Sequence, residues 1–532
     1  MRNILMAWVA GLFVFLSACY DDKGNYDYSD INEITIDDIE GLNLGAWNDY
    51  IAYVDTLRLY PKFSSSMAAD ESNYTYEWKI VPSNADETVV GDTVNYVIAT
   101  TRNLEWPISC DAGMYRCFYT VTDNASGLRF TQKFYLRIAT LTTEGWMVLC
   151  EQDGKARMDM VVNMNENEDI ISRNIWAESD FDPGKPDRLI YNFYAYDPPS
   201  TVSLLVTDKG TYNMDRNDLH VGEDNNLRWQ FGAQPDEVHV RASGICLYDY
   251  DWNTDEYYPL YWTVVDDKGD VYLNNVSELG GLFDFPVNKI DGVPFEAAPF
   301  VGVSYRYLRQ GMDKLFVQSV LLYDKTNQRF LEVKAGAGAP SVMTFSGTTM
   351  FTAEQKGRDM VFLQSTTNAG LNYAILQDAA GDYYYYGIVL GANGVNTQSG
   401  YGKLEGTDVE NATHFAFHPT LNWLFYSTKD KIYKVDLSNS SRNAELVADL
   451  QGETISVLKF NPFVAFRQYE AWQDNRNFWL VVGSNIDGED ETECGIMRVY
   501  EFDNQWANPA RLTKTHTRLG HIIDIAYKES VN

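Results

Sequence analysis

His414–Leu450 reads HFAFHPTLNWLFYSTKDKIYKVDLSNSSRNAELVADL. Apolar residues alternate in HFAF, again in WLFYST and again in KIYKVDL, with tight polar turns between. A fourth run, Ala444–Leu450, follows a Ser/Asn turn. Four short antiparallel strands in chain order make one sheet, and one such sheet is one blade of a β-propeller.

The hairpin at the centre of this stretch recurs. Its copies are MVLCEQDGKARMDMVV, LLVTDKGTYNM, WTVVDDKGDVYLNNV, VLLYDKTNQRFLEV, AILQDAAGDYYYYGIV, LFYSTKDKIYKVDL and LVVGSNIDGEDETECGIMRVYEF. Their turns centre near Gly154, Gly210, Gly269, Asn327, Gly381, Asp430 and Gly488, at intervals between 49 and 59 residues. A fixed period of this size means a propeller or a solenoid, and no helical period separates the copies. Seven copies fill residues 141–532.

The first copy, Trp146–Val162, lacks a preceding strand of its own. After the last copy and the run Ala510–Leu519, one segment remains, His521–Tyr527, and it resembles the leading strands HFAF and SVLKFN. The C-terminal strand is therefore expected to complete the first blade. Closure removes a sheet edge that would invite aggregation.

The start of the chain is of another kind. Arg2 supplies a charge, Ile4–Leu16 is an apolar run too short to span a bilayer comfortably, and Leu16-Ser17-Ala18-Cys19 follows. Small residues before a cysteine at that place read as a lipobox. Residues 1–18 are expected to be a lipoprotein signal peptide, with lipid on Cys19 and a polar tether over 19–32. The acidic Tyr20-Asp21-Asp22-Lys23 resembles the surface-export signal of Bacteroidetes lipoproteins, which implies the exterior side of the outer membrane.

From Glu33 the chain turns β. Glu33–Ile39, Tyr53–Tyr60, Tyr74–Val81, Asp92–Ala99, Tyr115–Asp123 and Arg129–Ala139 read as strands. Trp78 sits where the third strand of an immunoglobulin-like sandwich carries its core tryptophan, and Tyr115 stands two residues before Cys117, the tyrosine-corner spacing. The sandwich disulfide is missing, because Tyr53–Tyr60 holds no cysteine. Gly113-Met114-Tyr115-Arg116-Cys117 followed by Val121-Thr122-Asp123 resembles the ending of PKD-type domains. The expected fold is all-β: an immunoglobulin/PKD-like sandwich over 33–140, then a seven-bladed β-propeller over 141–532.

Composition excludes some functions. A net charge of −33 argues against nucleic acid, which needs a basic footprint. Cys110, Cys117, Cys150, Cys246 and Cys494 match no zinc spacing and read as buried thiols. His414 and His418 are four apart with no third ligand near, so they read as packing or turn residues. Asp249, Asp251, Asn253 and Asp255 alternate as calcium ligands can, but Thr254 replaces the EF-hand glycine, so a solvated acidic turn is expected. No nucleophile-elbow, zincin or Walker motif occurs, so no catalytic, metal or cofactor residue is assigned. Two aromatic clusters fall in loops: Tyr250, Trp252 and Tyr257, then Phe463, Phe466, Tyr469 and Trp472. Exposed aromatics bind sugars, peptides and partner proteins, so these are the binding candidates.

CYDDKGNYDY over Cys19–Tyr28, with the signal before it and the sandwich after it, resembles the PKD-like family of Bacteroidetes surface lipoproteins. The resemblance implies a non-enzymatic accessory of a SusC/SusD-type TonB-dependent nutrient importer. It also implies capture or hand-over of oligopeptides or glycans at the cell surface, beside other surface lipoproteins. The alternative is a surface propeller hydrolase acting on glycan or peptide.

Overall fold

The computed structural model describes residues 31–529 apart from 68–69, 84–95, 164–167, 195–199, 248–249, 252–255, 258–259, 276–280, 306–318, 369, 392–393, 440–442, 464–474 and 503–509. Strands, turns and a few 3-10 segments account for the described residues, and no α-helix occurs among them. Hence no helix among them is long and apolar enough to cross a membrane. The chain divides into two compact units, Met1–Ile138 and Ala139–Asn532.

The first unit packs a three-stranded sheet against a five-stranded one. The smaller sheet orders Ile34–Glu40, Thr56–Ser65 and Leu104–Pro107 side by side. The larger orders Trp47–Ile51, Arg129–Ala139, Gly113–Asp123, Tyr74–Pro82 and Val97–Ala99. Trp78 is buried, with its ring 4.3 Å from Tyr119 and its Nε1 donating to the Thr101 carbonyl at 2.8 Å. The Tyr115 hydroxyl donates to the Asp111 carbonyl at 2.7 Å, which is the tyrosine corner. Cys117 is a free buried thiol in the same core as Leu57 and Leu59, so apolar packing stands where a disulfide would.

Strand limits differ from expectation at three places. The strand expected at Tyr53 begins at Thr56, because Tyr53 takes a left-handed φ of 64° and Ile51 N bonds the Asp55 carboxylate, making a turn. Trp47–Ile51 and Leu104–Pro107 are strands that were not expected; both are short and partly polar, so alternation does not mark them. Of the strand expected at Asp92–Ala99, Val97–Ala99 is seen and 92–95 lie outside the described residues.

The second unit holds seven antiparallel sheets of three or four strands, which we number along the chain from the one at Gly145. Sheet 1 orders His521–Lys528, Gly145–Gln152, Lys155–Asn163 and Asp169–Ser172. Sheet 2 orders Pro186–Tyr194, Ser200–Thr207 and Gly210–Asn213, and sheet 3 orders Val240–Leu247, Leu260–Asp266 and Val271–Asn275. Sheet 4 orders Ser319–Asp324, Arg329–Lys334 and Ser341–Val342, with residues 298–302 bonded along its first strand. Sheets 5, 6 and 7 run from Arg358–Ser365, His414–Phe417 and Glu453–Phe460 to Thr397–Lys403, Ala444–Asp449 and Arg511–Leu519. The seven turns read from the sequence join adjacent strands: the two central ones in sheets 1, 5, 6 and 7, the second and third in sheets 2 and 3, and the first and second in sheet 4. Gly269 and Gly381 hold φ of 75° and 89° there, a conformation that favours glycine.

Each sheet buries its faces against its neighbours, because strands packed on both sides must be apolar on both. Shared cores join sheets 2 and 3, 3 and 4, 4 and 5, 5 and 6, 6 and 7, and 7 and 1. The last strand, His521–Lys528, pairs antiparallel with Gly145–Gln152, so the two ends of the unit share one sheet. Ion pairs join sheet 7 to sheet 1. At the inner strands Lys459 meets Asp524 at 2.5 Å, and at the outer strands Lys514 meets Asp169 at 2.9 Å, with His516 at 3.2 Å. Burial alone would raise the Asp169 pKa, but the bonds from His516, Lys514 and Asn163 outweigh it and hold the carboxyl low. The second unit is thus all-β and β-propeller-like.

Candidate functional site

Of the expected binding aromatics, Tyr250, Tyr257 and Phe463 are among the described residues. Trp252, Phe466, Tyr469 and Trp472 lie outside the described residues, as does Cys19. Tyr250–Asp251 pairs with Glu256–Tyr257 in a two-stranded ladder between the first and second strands of sheet 3. Phe463 corrects the expectation. It is 0% exposed, with its ring 6.0 Å from Trp146 and 4.7 Å from Tyr527, and with the Arg476 guanidinium 4.6 Å from its centroid. It is a core residue of the sheet 7 to sheet 1 junction, because the closing strand folds over a segment that looks like an open loop in sequence. Among the acidic run, Asp249, Asn253 and Asp255 are outside the described residues; no group of metal-holding side chains occurs among those described. His418 is buried, stacks at 5.5 Å on Phe478 and accepts the Leu421 N–H at 3.1 Å. Burial lowers its pKa to about 4, so it is a neutral turn and packing residue at pH 7.

The described residues line an open cavity of about 650 Å³ that the sequence did not announce. Its walls come from the inner strand, or inner segment, of all seven sheets: Asp524, Arg188, Arg241, Phe300, Val361, Phe415 and Lys459 represent them in turn. Five of these strands carry a β-bulge, at Pro186/Arg188, Val240/Ala242, Met360/Phe362, Ile455/Val457 and Ile522/Asp524. A bulge puts one extra residue on one strand and re-aims its side chain. The extra residues Asp187, Arg241, Val361 and Ser456 all line the cavity.

Two carboxylates face the cavity and both are committed. Asp187 Oδ2 accepts from Arg188 Nε at 2.9 Å and from Arg241 Nη1 at 2.6 Å. Asp524 Oδ1 accepts from Lys459 Nζ, and its Oδ2 accepts from Leu189 N at 2.9 Å. Asp524 thereby ties sheets 7, 1 and 2 together. Other polar groups are spent on the walls: Ser243 accepts from Asn192 and Trp262, and Gln364 bonds the Phe417 backbone both ways. Burial, with Lys459 nearby, lowers the pKa of His414, which favours its neutral form. The cavity therefore holds three cations, Arg188, Arg241 and Lys459, against two carboxylates, inside a chain of net charge −33. The sequence did carry a signal: PDRLIYNFY, VRASGICL, ETISVLKF and HIIDIAYK each set charge into an otherwise apolar strand.

Three comparisons bear on this architecture. A model of the PKD-like family matches residues 19–180, so the N-terminal region carries a PKD-like domain. A search of curated proteins gives no match. Similar solved structures include a quinonprotein alcohol dehydrogenase-like protein from Bacteroides thetaiotaomicron, at 13% identity and TM-score 0.40 over 90% of this chain and 96% of that one. The periplasmic gluconolactonase PpgL of Pseudomonas aeruginosa is 12% identical, at TM-score 0.41 over 73% of this chain and 99% of that one. The Dos1 propeller is 10% identical, at TM-score 0.36 over 71% and 86%. Likenesses this weak carry none of the functional reasoning.

Proposed function

We propose that the chain is a lipid-anchored protein of the outer face of the outer membrane. It acts as a non-enzymatic accessory of a SusC/SusD-type TonB-dependent importer, binding oligopeptide or glycan substrates or docking on the importer. The architecture that goes with this reading is a closed seven-bladed propeller, supported by the seven sheets, their successive shared cores and the pairing of His521–Lys528 with Gly145–Gln152. The anchor is supported by Leu16-Ser17-Ala18-Cys19.

One observation carries the non-enzymatic reading. Both carboxylates of the inner-strand cavity are bound to cations. Glycoside hydrolysis needs one carboxyl held protonated as an acid and a second free as base or nucleophile. Asp187 and Asp524 are each already engaged by neighbouring side-chain cations, so the cavity holds no pair of carboxyls left free for the two roles.

The experiment has two parts in native cells. Cys19→Ser should release the protein from the membrane, and protease added to intact cells should digest the wild type. Affinity purification from solubilised outer membranes should then bring down a TonB-dependent barrel with its lipoprotein lid. Full protection from protease, or purification without a barrel, rejects the accessory reading. Glycan or peptide turnover lost on Asp187→Asn would establish the hydrolase instead.

A further inference from the structure

We propose that the inner-strand cavity is a carboxylate-binding site for short peptides that combine acidic and apolar groups, with Arg188, Arg241 and Lys459 as the recognising cations. This names a ligand class for the binding role above and rests on that role. The inference starts from which donors are left over. Arg241 spends only Nη1 among the described residues, on Asp187, so its Nε and Nη2 edge stays open. Arg188 spends Nε on Asp187 and Nη1 on the Arg241 carbonyl at 3.1 Å, leaving Nη2. Lys459 gives one of its three protons to Asp524. An open guanidinium edge presents two parallel N–H donors at the spacing of a carboxylate's oxygens.

The two carboxylates of the wall hold these cations in place without cancelling them. Long flexible side chains lose entropy when they bind, and here Asp187 and Asp524 have already ordered them. Among the described residues Asp187 takes both guanidinium bonds on Oδ2 and leaves Oδ1 open, so an acceptor for a peptide N–H stands beside the donors. The rest of the wall is mixed, with Leu189, Val361, Phe362, Phe415 and Leu458 apolar beside polar residues such as Ser243, Gln364 and Thr413. The apolar positions suit the apolar side chains of such a peptide. The volume of about 650 Å³ falls within the roughly 300–1,000 Å³ of small-ligand sites, which fits a short peptide or a peptide end.

The test uses the purified mature chain from residue 19 with Cys19→Ser, without importer, and a peptic digest of casein as probe. Equilibrium dialysis read by mass spectrometry should retain peptides with Asp or Glu beside Leu or Phe. Methyl esterification of the digest should cut retention by about tenfold or more. Arg241→Met should do the same. So should Val361→Asp, which adds a carboxylate to the wall, touches no ion pair, and sits at a position already 38% exposed. Equal retention of esterified peptides, unchanged binding in Val361→Asp, preference for oligogalacturonate over the peptides, or no retention at all would each overturn the proposal. Because no importer is present, failure here leaves the membrane purification untouched, and the reverse also holds.

Discussion

In sheet 4 the strand Ser319–Asp324 is buried at every position, and Gly145–Gln152, Leu371–Asp378 and Leu480–Ile486 are buried over their first six. The inner strands beside them are mixed. Arg358–Ser365 has one buried residue in eight, and Glu453–Phe460 alternates irregularly. The strand next to the inner strand or segment of each sheet, Ser319–Asp324 in sheet 4, is covered on both faces by neighbouring sheets, so it is largely apolar. The inner strand has one edge on a cavity. It therefore tolerates bulges and charges, and it is where ligand chemistry can be placed without opening the core.

This contrast can be tested from its strongest consequence downward. Removing His521–Asn532 strips sheet 1 of its inner strand and takes Ile522, Ile525 and Tyr527 out of the core. Each backbone bond lost is worth about 0.5–1.5 kcal/mol net, against a domain stability of about 5–15 kcal/mol. The truncated chain should aggregate or melt without cooperativity in calorimetry. An unchanged melting temperature would mean that the inner strands are dispensable.

Single substitutions should separate the two strand types. Leu322→Ala, in the buried strand Ser319–Asp324 of sheet 4, should cost about 2–5 kcal/mol in urea melts. Val361→Ala, on the inner strand of sheet 5, should stay within about 0.5 kcal/mol. Equal costs would erase the distinction.

Lys528 marks the end of an inner strand where it re-enters the core. Its ammonium donates to the Thr142 and Thr143 carbonyls, and burial lowers its pKa to about 8. The unfolded chain holds this proton more tightly than the folded one. The penalty for charging Lys528 is thus complete below pH 8 and is relieved as pH rises toward the unfolded value. Wild type should gain up to about 3 kcal/mol relative to Lys528→Met between pH 8 and 10.5. A constant difference across that range would show that the lysine titrates as a solvated one.

The smallest effect belongs to the tie between sheets. Asp524→Asn weakens the bond from Lys459 but keeps an acceptor for Leu189 N. Since Lys459 is partly exposed, the expected loss is about 1 kcal/mol, read as a small fall in melting temperature that high salt diminishes. No fall at all would deny Asp524 its joining role.

Much of the scaffold was legible because it is written in local pattern. The hairpins around Gly154 through Gly488, the leftover strand at His521 and the Trp78 and Tyr115 pair of the sandwich all announce themselves within a few residues of chain. The bulges did not, since a bulge exists only against a partner strand. Phe463 misled for a related reason. Its segment looks like an open connection, and what buries it, Trp146 and Tyr527, comes from far away in sequence.

The sequence by itself determined the class of strand, the places of the turns, the repeat and the sign of the net charge, because alternation, glycine and composition act over short range. Only the tertiary structure decided which charged residues meet. Asp187 and Arg241 lie 54 residues apart, and Lys459 and Asp524 lie 65 apart, yet each pair closes to 2.6 Å or less. Those meetings depend on the inner strands and the segment 298–302 meeting at one cavity, and that meeting is a property of packed sheets that no single strand encodes.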